Sequence, residues 1–284
     1  MSITEAIIEF DFIRYSFFAG ILIGILAPLI GTFIVVRRLS LIADALSHVT
    51  LGGIAFGMLL TKVLAFTINP VWTGILFSVT GSLLIEKLRG VYKHYQELAI
   101  PIIMSLGIGL SVIFISFANG FNQDLFGYLF GSISAVTFND ILVITSIFIL
   151  VLLFIGLLYK ELFILSFDEE YASIIGVPKY VHLLFMLMVA LVISASMRVV
   201  GILLVSSLIT LPVASAMRLT RSYKALMLWS VIIGEMSVII GLITAYYLDI
   251  SPGGVIVMLL VVILIGSIMI KKNKERGGVI YEDR

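Results

Sequence analysis

The feature that most constrains this chain is a succession of long apolar runs, recurring from Phe17 to Ile270 with few charges inside them. Each approaches the roughly 20 residues that a helix needs to cross about 30 Å of hydrocarbon. Backbone groups in lipid must be satisfied within their own segment, so runs of this length read as helices. Nine fit, at 16–36, 40–61, 70–86, 98–118, 138–159, 180–198, 200–217, 224–248 and 253–270. The stretch from Tyr180 to Met217 is almost unbroken and is split on a turn near Arg198 to Gly201; without that turn the count is eight. The expected fold is all-α, a polytopic integral membrane helix bundle.

Composition agrees. Hydrophobic residues make up 61% and charged residues 12% of 284 positions, about half the charged share of a soluble domain, and mean hydropathy is +1.21. Nine spans take about 180 positions and leave about 104 for termini and eight connections. No connection holds a folded catalytic domain, so a single transmembrane domain over 1–284 is expected, and the chain does no covalent chemistry itself.

Placement of charge sets the topology. Lys plus Arg is 18 and Asp plus Glu is 17, a balance that gives no sign of nucleic acid binding. With the N-terminus outside, 15 basic residues fall in inside segments: Arg37, Arg38, Lys87, Arg89, Lys93, Lys160, Lys179, Arg218, Arg221, Lys224, Lys271, Lys272, Lys274, Arg276 and Arg284. Only Arg14, Lys62 and Arg198, 3 in all, fall outside. The positive-inside rule then predicts a cytoplasmic C-terminus. The acidic N-terminal stretch, with Glu5, Glu9 and Asp11, has the wrong charge for a cleaved leader, so the first span reads as retained. Asp124 to Thr137, with two glycines and interleaved aromatics, reads as an outside segment that is interfacial or re-entrant and packs on protein.

An ionisable residue inside a span costs at least about 2.5 kcal/mol on insertion scales and is a functional candidate by default. The second span has two, Asp44 and His48. Four apart, they share a helix face about 6 Å apart along the axis. A carboxylate and a neutral imidazole together can ligate zinc or manganese, but two ligands leave the shell open. A second copy of the pair closes it. The absence of cysteine leaves His, Asp, Glu and backbone oxygens for any ion chemistry. Gly52 and Ala55 continue the face, with Gly53 and Gly57 nearby, so another backbone can approach closely, as in a homodimer. Equally open on spacing alone is a structural role, with Asp44 at the helix start after Ser40 and His48 hydrogen-bonded in the core. Glu235, in the middle of the eighth span, is a candidate for an outer-shell or pathway role, or for a helix-packing hydrogen bond.

Elsewhere the readings are plainer. Asp249 with Ser251, Pro252, Gly253 and Gly254 reads as an outside turn; His94 and His182 read as solvated residues at inside ends; Glu86 and Glu97 read as charged flanks of a basic loop. Between Lys160 and Lys179, the stretch Asp168, Glu169, Glu170, Tyr171, Ala172, Ser173, Ile174, Ile175 and Gly176 reads as a short amphipathic helix with an acidic start and a glycine stop. Either a surface loop or a docking element has this composition. No glycine is followed by lysine, so the chain lacks a phosphate-cradling P-loop. Energy comes from a partner or from a gradient; the gradient alternative is a secondary carrier using Asp44 and Glu235 as its ion relay.

The stretch from Ser40 to His48 followed by Gly52 and Gly53, with Val200 to Val205 and Leu211 to Met217, resembles the zinc/manganese permease family of bacterial ABC importers. The loop from Phe167 to Gly176 falls in matching order between the fifth and sixth spans, and the resemblance covers essentially the whole chain. It implies a homodimeric permease of the bacterial plasma membrane, joined to two cytoplasmic ATP-binding subunits and fed by an extracellular metal-binding protein. It implies no cofactor, only a transported metal. It further implies that Asp44 and His48 from both protomers form the transport site, and that Asp168, Glu169, Glu170, Tyr171, Ala172 and Gly176 lie in the segment coupled to the ATPase. Ile85 to Arg89, Val91 to Tyr95, Met104 to Gly107 and Leu129 to Ser132 are similar to the zinc branch of Gram-positive bacteria, so zinc is the expected cargo and manganese the alternative.

Overall fold

A computed structural model describes residues 2–64, 69–118 and 123–282. Arg284 of the charge tally lies outside the described residues, and the side chains of Gln123, Lys179 and 272–282 are not described. The described chain is helical throughout: α1 (Ile3–Glu9), α2 (Asp11–Val36), α3 (Leu41–Leu64), α4 (Pro70–Val91), α5 (Ala99–Phe117), α6 (Gln123–Phe130), α7 (Phe138–Leu157), α8 (Tyr159–Phe167), α9 (Glu169–Ile174), α10 (Lys179–Ser196), α11 (Ile202–Leu219), α12 (Tyr223–Leu248) and α13 (Pro252–Glu282). Among the described residues eight helices are long and apolar enough to cross a membrane, and Tyr180–Ser196 within α10 is a shorter apolar helix. These fall where the nine apolar runs fall. Differences lie at the ends: α2 starts at Asp11 rather than near 16, and α4 runs on to Val91 rather than stopping near 86.

The α10–α11 break is local and physical. Gly201 has φ +89°, a conformation glycine adopts without Cβ strain, and its N–H donates to the Met197 carbonyl. A methyl group there would sit 2.5 Å from the Gly131 nitrogen. The outer segment therefore docks into this turn: Ser132 N–H donates to the Arg198 carbonyl at 3.2 Å, with α6 and a 3-10 turn at Ile133–Ala135 lying on the bundle. The expectation that 124–137 packs on protein is met.

Two packing centres organise the bundle. Around α2, helices α7, α11 and α12 pack closely, and α3 is clasped by α4 and α5. Phe33, Phe185, Ile23, Leu26 and Ile30 are fully buried in the first centre. Met258, Val262, Leu228 and Trp72 are exposed on the outer helix faces. In a membrane such positions meet lipid tails, so they carry no hydration cost and helix contacts rest on close packing instead.

The ends separate the polar residues. Arg37, Arg89, Glu169, His182 and Arg221 gather at one end. The opposite end holds Asp140, Arg198 and the Asp249 turn, where Asp249 is left-handed at φ +53°.

Candidate functional site

Asp44 lies in the first turn of α3 and His48 one turn on. Their neighbours Ile42, Ala43, Ala45, Leu46, Ser47, Val49 and Thr50 are buried, whereas Asp44 and His48 are only half-buried. The pair thus emerges on an open strip of the N-terminal half of α3, a helix whose last turn, Lys62 to Leu64, is exposed as well. Among the described residues neither side chain has a hydrogen-bond or ion-pair partner; the contact at His48 is through its backbone, whose carbonyl accepts from Ser111 Oγ at 3.2 Å. Among the described residues His48 makes no side-chain hydrogen bond in the core, and Asp44 sits half-buried in the first turn of α3, where a carboxylate also solvates a helix start. No group of three His, Asp or Glu side chains that could hold a metal ion is present among the described residues.

The glycines of α3 have a different role from the one their spacing suggested. A methyl group at Gly53 would meet the Thr73 carbonyl oxygen at 2.5 Å and Phe77 Cβ at 2.6 Å, both on α4. At Gly52 it would lie 3.4 Å from the Gly107 oxygen of α5, and a methyl on Gly107 would lie 2.7 Å from Val49 N. Close backbone approach along α3 is therefore made by α4 and α5 of the same chain, and these glycines are not the contact for a second copy. Spacing reports that a helix can be approached closely; it does not report by which helix.

Glu235 stands apart from the pair. It sits on α12 against α2, where any side chain at Gly24 would collide with its Oε2. That oxygen is buried without a hydrogen-bond partner among the described residues. The packing hydrogen bond considered from sequence is thus not made by this atom.

The richest polar cluster lies at the end of the bundle that holds α9. Asp168 caps α9, its Oδ1 accepting from Tyr171 N at 2.9 Å, and Gly176, at φ +86°, ends the segment. Ala172 is buried, whereas Tyr171, Ile174 and Ile175 are exposed at 53%, 79% and 47%. The helix therefore shows an apolar face away from its own chain. Its opposite face is tied down: Glu169 Oε2 accepts from Arg89 at 3.2 Å and lies 3.6 Å from Arg37. Burial works to raise the Glu169 carboxyl, but Arg89, His182 and Arg37 outweigh it and hold it below the usual carboxylate range. Burial, countered in part by Glu169 and aided by Arg89, pushes Arg37 down to about 10, still cationic at neutral pH.

His182 is not the solvated residue expected from sequence. It is 6% exposed, with Nδ1 2.6 Å from Arg37 Nη2 and Nε2 2.7 Å from Glu86 Oε2. Arginine only donates, so Nδ1 accepts and Nε2–H donates to Glu86. Arg89 Nη1, also 2.7 Å from Nε2, cannot share that nitrogen and is served by Glu86 at 3.6 Å. Glu86 is likewise more than a charged flank: it meets His182 of α10 and Arg89 one turn along α4, with the Arg37 guanidinium at the end of α2 acting on it through charge. His94 and Glu97 are exposed, as expected.

At the opposite end, Arg198 is fixed by the Ala135 carbonyl at 2.7 Å, by Asp140 at 3.6 Å and by the Tyr128 ring at 4.7 Å. Sequence reading placed Arg198 in a turn and missed these partners, whose only local signal was the Thr137/Asp140 capping box.

Comparison with known proteins joins these observations to a family. The model of the ABC 3 transport family matches residues 9–271. The manganese import system permease protein ScaB of Streptococcus parasanguinis is 34% identical over 271 residues, covering 94% of each chain. The manganese transport system membrane protein MntC of Listeria monocytogenes is 31% identical, covering 93% of this chain and 92% of the relative. Among solved structures, PsaBC from Streptococcus pneumoniae in complex with Fab superposes with a TM-score of 0.80 at 30% identity, covering 93% of this chain and 94% of that one. A bundle of apolar helices, a match spanning nearly its whole length and relatives that are membrane permeases agree: the chain belongs to the ABC 3 transport family, as a non-catalytic, multi-pass permease of the bacterial plasma membrane.

Proposed function

We propose that this chain is the permease of an ATP-driven importer of a divalent transition metal, and that the transport site is made of Asp44 and His48 from two copies of the chain. The observation that carries this reading is the half-buried, unpartnered pair on α3, in a chain whose described residues gather no third ligand. Two copies supply four oxygen and nitrogen ligands, enough for a tetrahedral shell. With no thiolate the site holds metal weakly enough to release it, as a carrier must. The whole of 1–284 acts as one transmembrane domain, with the Arg37 and Arg89 end in the cytoplasm, on the strength of the basic residues collected there. The exposed Tyr171, Ile174 and Ile175 face of α9 suits a cytoplasmic ATPase, two copies per dimer, and an extracellular binding protein delivers the metal. Movement of α9 passes to α2, α4 and α10 through Glu169, Arg37, Arg89 and His182, and rocking of these helices alternates access to the site. Glu235, on α12, is assigned to the helix interface rather than to the metal.

Zinc is the cargo we place first. Four ligands close a zinc shell, and Ile85 to Arg89 and Met104 to Gly107 are similar to the zinc branch. Manganese is the second reading, favoured by the names of the relatives ScaB and MntC; it requires bidentate carboxylates or waters to reach the six ligands it prefers. The test is metal-specific accumulation in cells lacking their own zinc and manganese importers, with the ATPase and binding protein supplied. Zinc uptake abolished by Asp44→Ala and by His48→Ala at matched expression is the expected result. Manganese uptake with the same losses keeps the site and changes the cargo, and uptake indifferent to both substitutions removes the site.

A further inference from the structure

A cavity of about 860 Å³ opens at the α9 end of the bundle, between the ends of α2, α4, α8, α11 and α12. Four arginines line it, Arg37, Arg38, Arg89 and Arg221, with Glu169 as the acidic residue in the lining. Arg37 and Arg89 are already engaged by His182, Glu86 and Glu169, yet Arg37 Nη1 is buried with no hydrogen-bond partner among the described residues. Arg38 and Arg221 are exposed on the rim and have no ion pair or side-chain hydrogen bond among the described residues. Four guanidiniums face two carboxylates, Glu169 in the lining and Glu86 behind Arg89, so the cavity keeps a surplus of positive charge that an anion would balance.

The backbone supplies an independent sign. Arg38 is left-handed at φ +59°, at the position past a helix end where glycine is the ordinary choice. Its N–H donates to the Val35 carbonyl and the Leu39 N–H to that of Ile34, so the α2 chain reversal is regular. A strained conformation kept by an arginine, where glycine would serve the turn better, points to a use for the side chain. Apolar side chains stand among the arginines in the lining, Val35, Val36, Leu165, Phe167, Met217 and Leu226. Arginines beside aliphatic side chains, at the level where helices leave the membrane, match a phosphate with hydrocarbon attached.

We infer that this cavity binds the phosphate of an anionic phospholipid headgroup, with Arg38 and Arg221 as its recruiting residues. The inference rests on the proposed orientation, in which this end faces the cytoplasmic leaflet. A free phosphate shares the charge chemistry but leaves the apolar lining wetted.

The test uses the full-length permease in nanodiscs of phosphatidylcholine with phosphatidylglycerol, reading co-purified lipid by native mass spectrometry. Wild-type protein is expected to retain phosphatidylglycerol over phosphatidylcholine. Arg38→Gln and Arg221→Gln should each weaken that retention about tenfold, the usual loss for a charge-assisted hydrogen bond, while Arg14→Gln at the other end leaves it unchanged. Arg38→Gly separates roles: it should keep or raise thermal stability while losing lipid. Equal retention of both lipids, or retention unaffected by Arg38→Gln and Arg221→Gln, overturns the inference. So does saturable protection by inorganic phosphate with no lipid preference, which assigns the cavity to a soluble anion, or loss of the preference on adding the ATPase, which assigns it to that protein. Metal uptake measured in parallel distinguishes this outcome from failure of the transport reading: uptake intact with no lipid preference sinks the lipid site alone.

Discussion

Glu169 of α9 and Arg89 of α4 meet at 3.2 Å, a contact that joins a surface helix to the end of a membrane-length one across 80 positions of sequence. Arg89 is 9% exposed in its side chain and Glu169 is 51% exposed. The pair is therefore unequal: the arginine is part of the bundle, and the carboxylate is a handle on it.

That inequality separates two substitutions. Glu169→Gln should cost less than about 1 kcal/mol, as solvent screens a half-exposed partner, while reducing uptake because α9 no longer pulls on α4. Arg89→Ala takes a buried cation from Glu86 and Glu169 and should cost on the order of 3 kcal/mol. Thermal unfolding of the solubilised protein beside transport rates checks both; equal stability losses would contradict the asymmetry.

The same pair has a defined dependence on pH. A depressed carboxyl contributes stability that is complete above its unfolded value and is lost as pH falls through the folded one. For Glu169 the window therefore lies below about 4.3, the ordinary glutamate value. The chain has no cysteine, so Ser173→Cys with Lys93→Cys gives a clean pair of spin-label sites. Their distance distribution should hold from about pH 7 to 5 and broaden only below about 4; broadening that begins near pH 6 would count against the clamp.

Packing of α3 yields another expectation. Gly53→Val drives a branched side chain into Thr73 and Phe77 of α4 and should destabilise by about 1–3 kcal/mol, as overpacking does. Gly109→Val, at a position with open space around it, should leave stability within about 0.5 kcal/mol. A chain that tolerates both equally is not packed as described.

Much of the architecture was legible because one signal, unbroken apolar length, is local. Gly201 marked the α10–α11 turn, and Asp168 and Gly176 marked the ends of α9, since caps and left-handed stops belong to residues adjacent in sequence. The capping box of α1, Ser2 with Glu5, carried an equally local signal in its S-x-x-E pattern and went unread. His182 reads as solvated from sequence because its partners Glu86 and Arg37 lie 96 and 145 positions away, and no local pattern announces them. The α3 glycines announced a close approach without naming the partner. Asp44 and His48 stood out through their spacing, but that neither side chain has a hydrogen-bond partner among the described residues, on which the ligand reading depends, is visible only once the fold is built.

The central claim is a site shared by two copies, and a fused tandem permease tests it most directly. With His48→Ala in one half alone, zinc uptake through the complete transporter should fall to the level of the doubly substituted fusion, because one missing ligand opens the common shell. Retention of about half the wild-type rate, as expected of two independent sites, would contradict it.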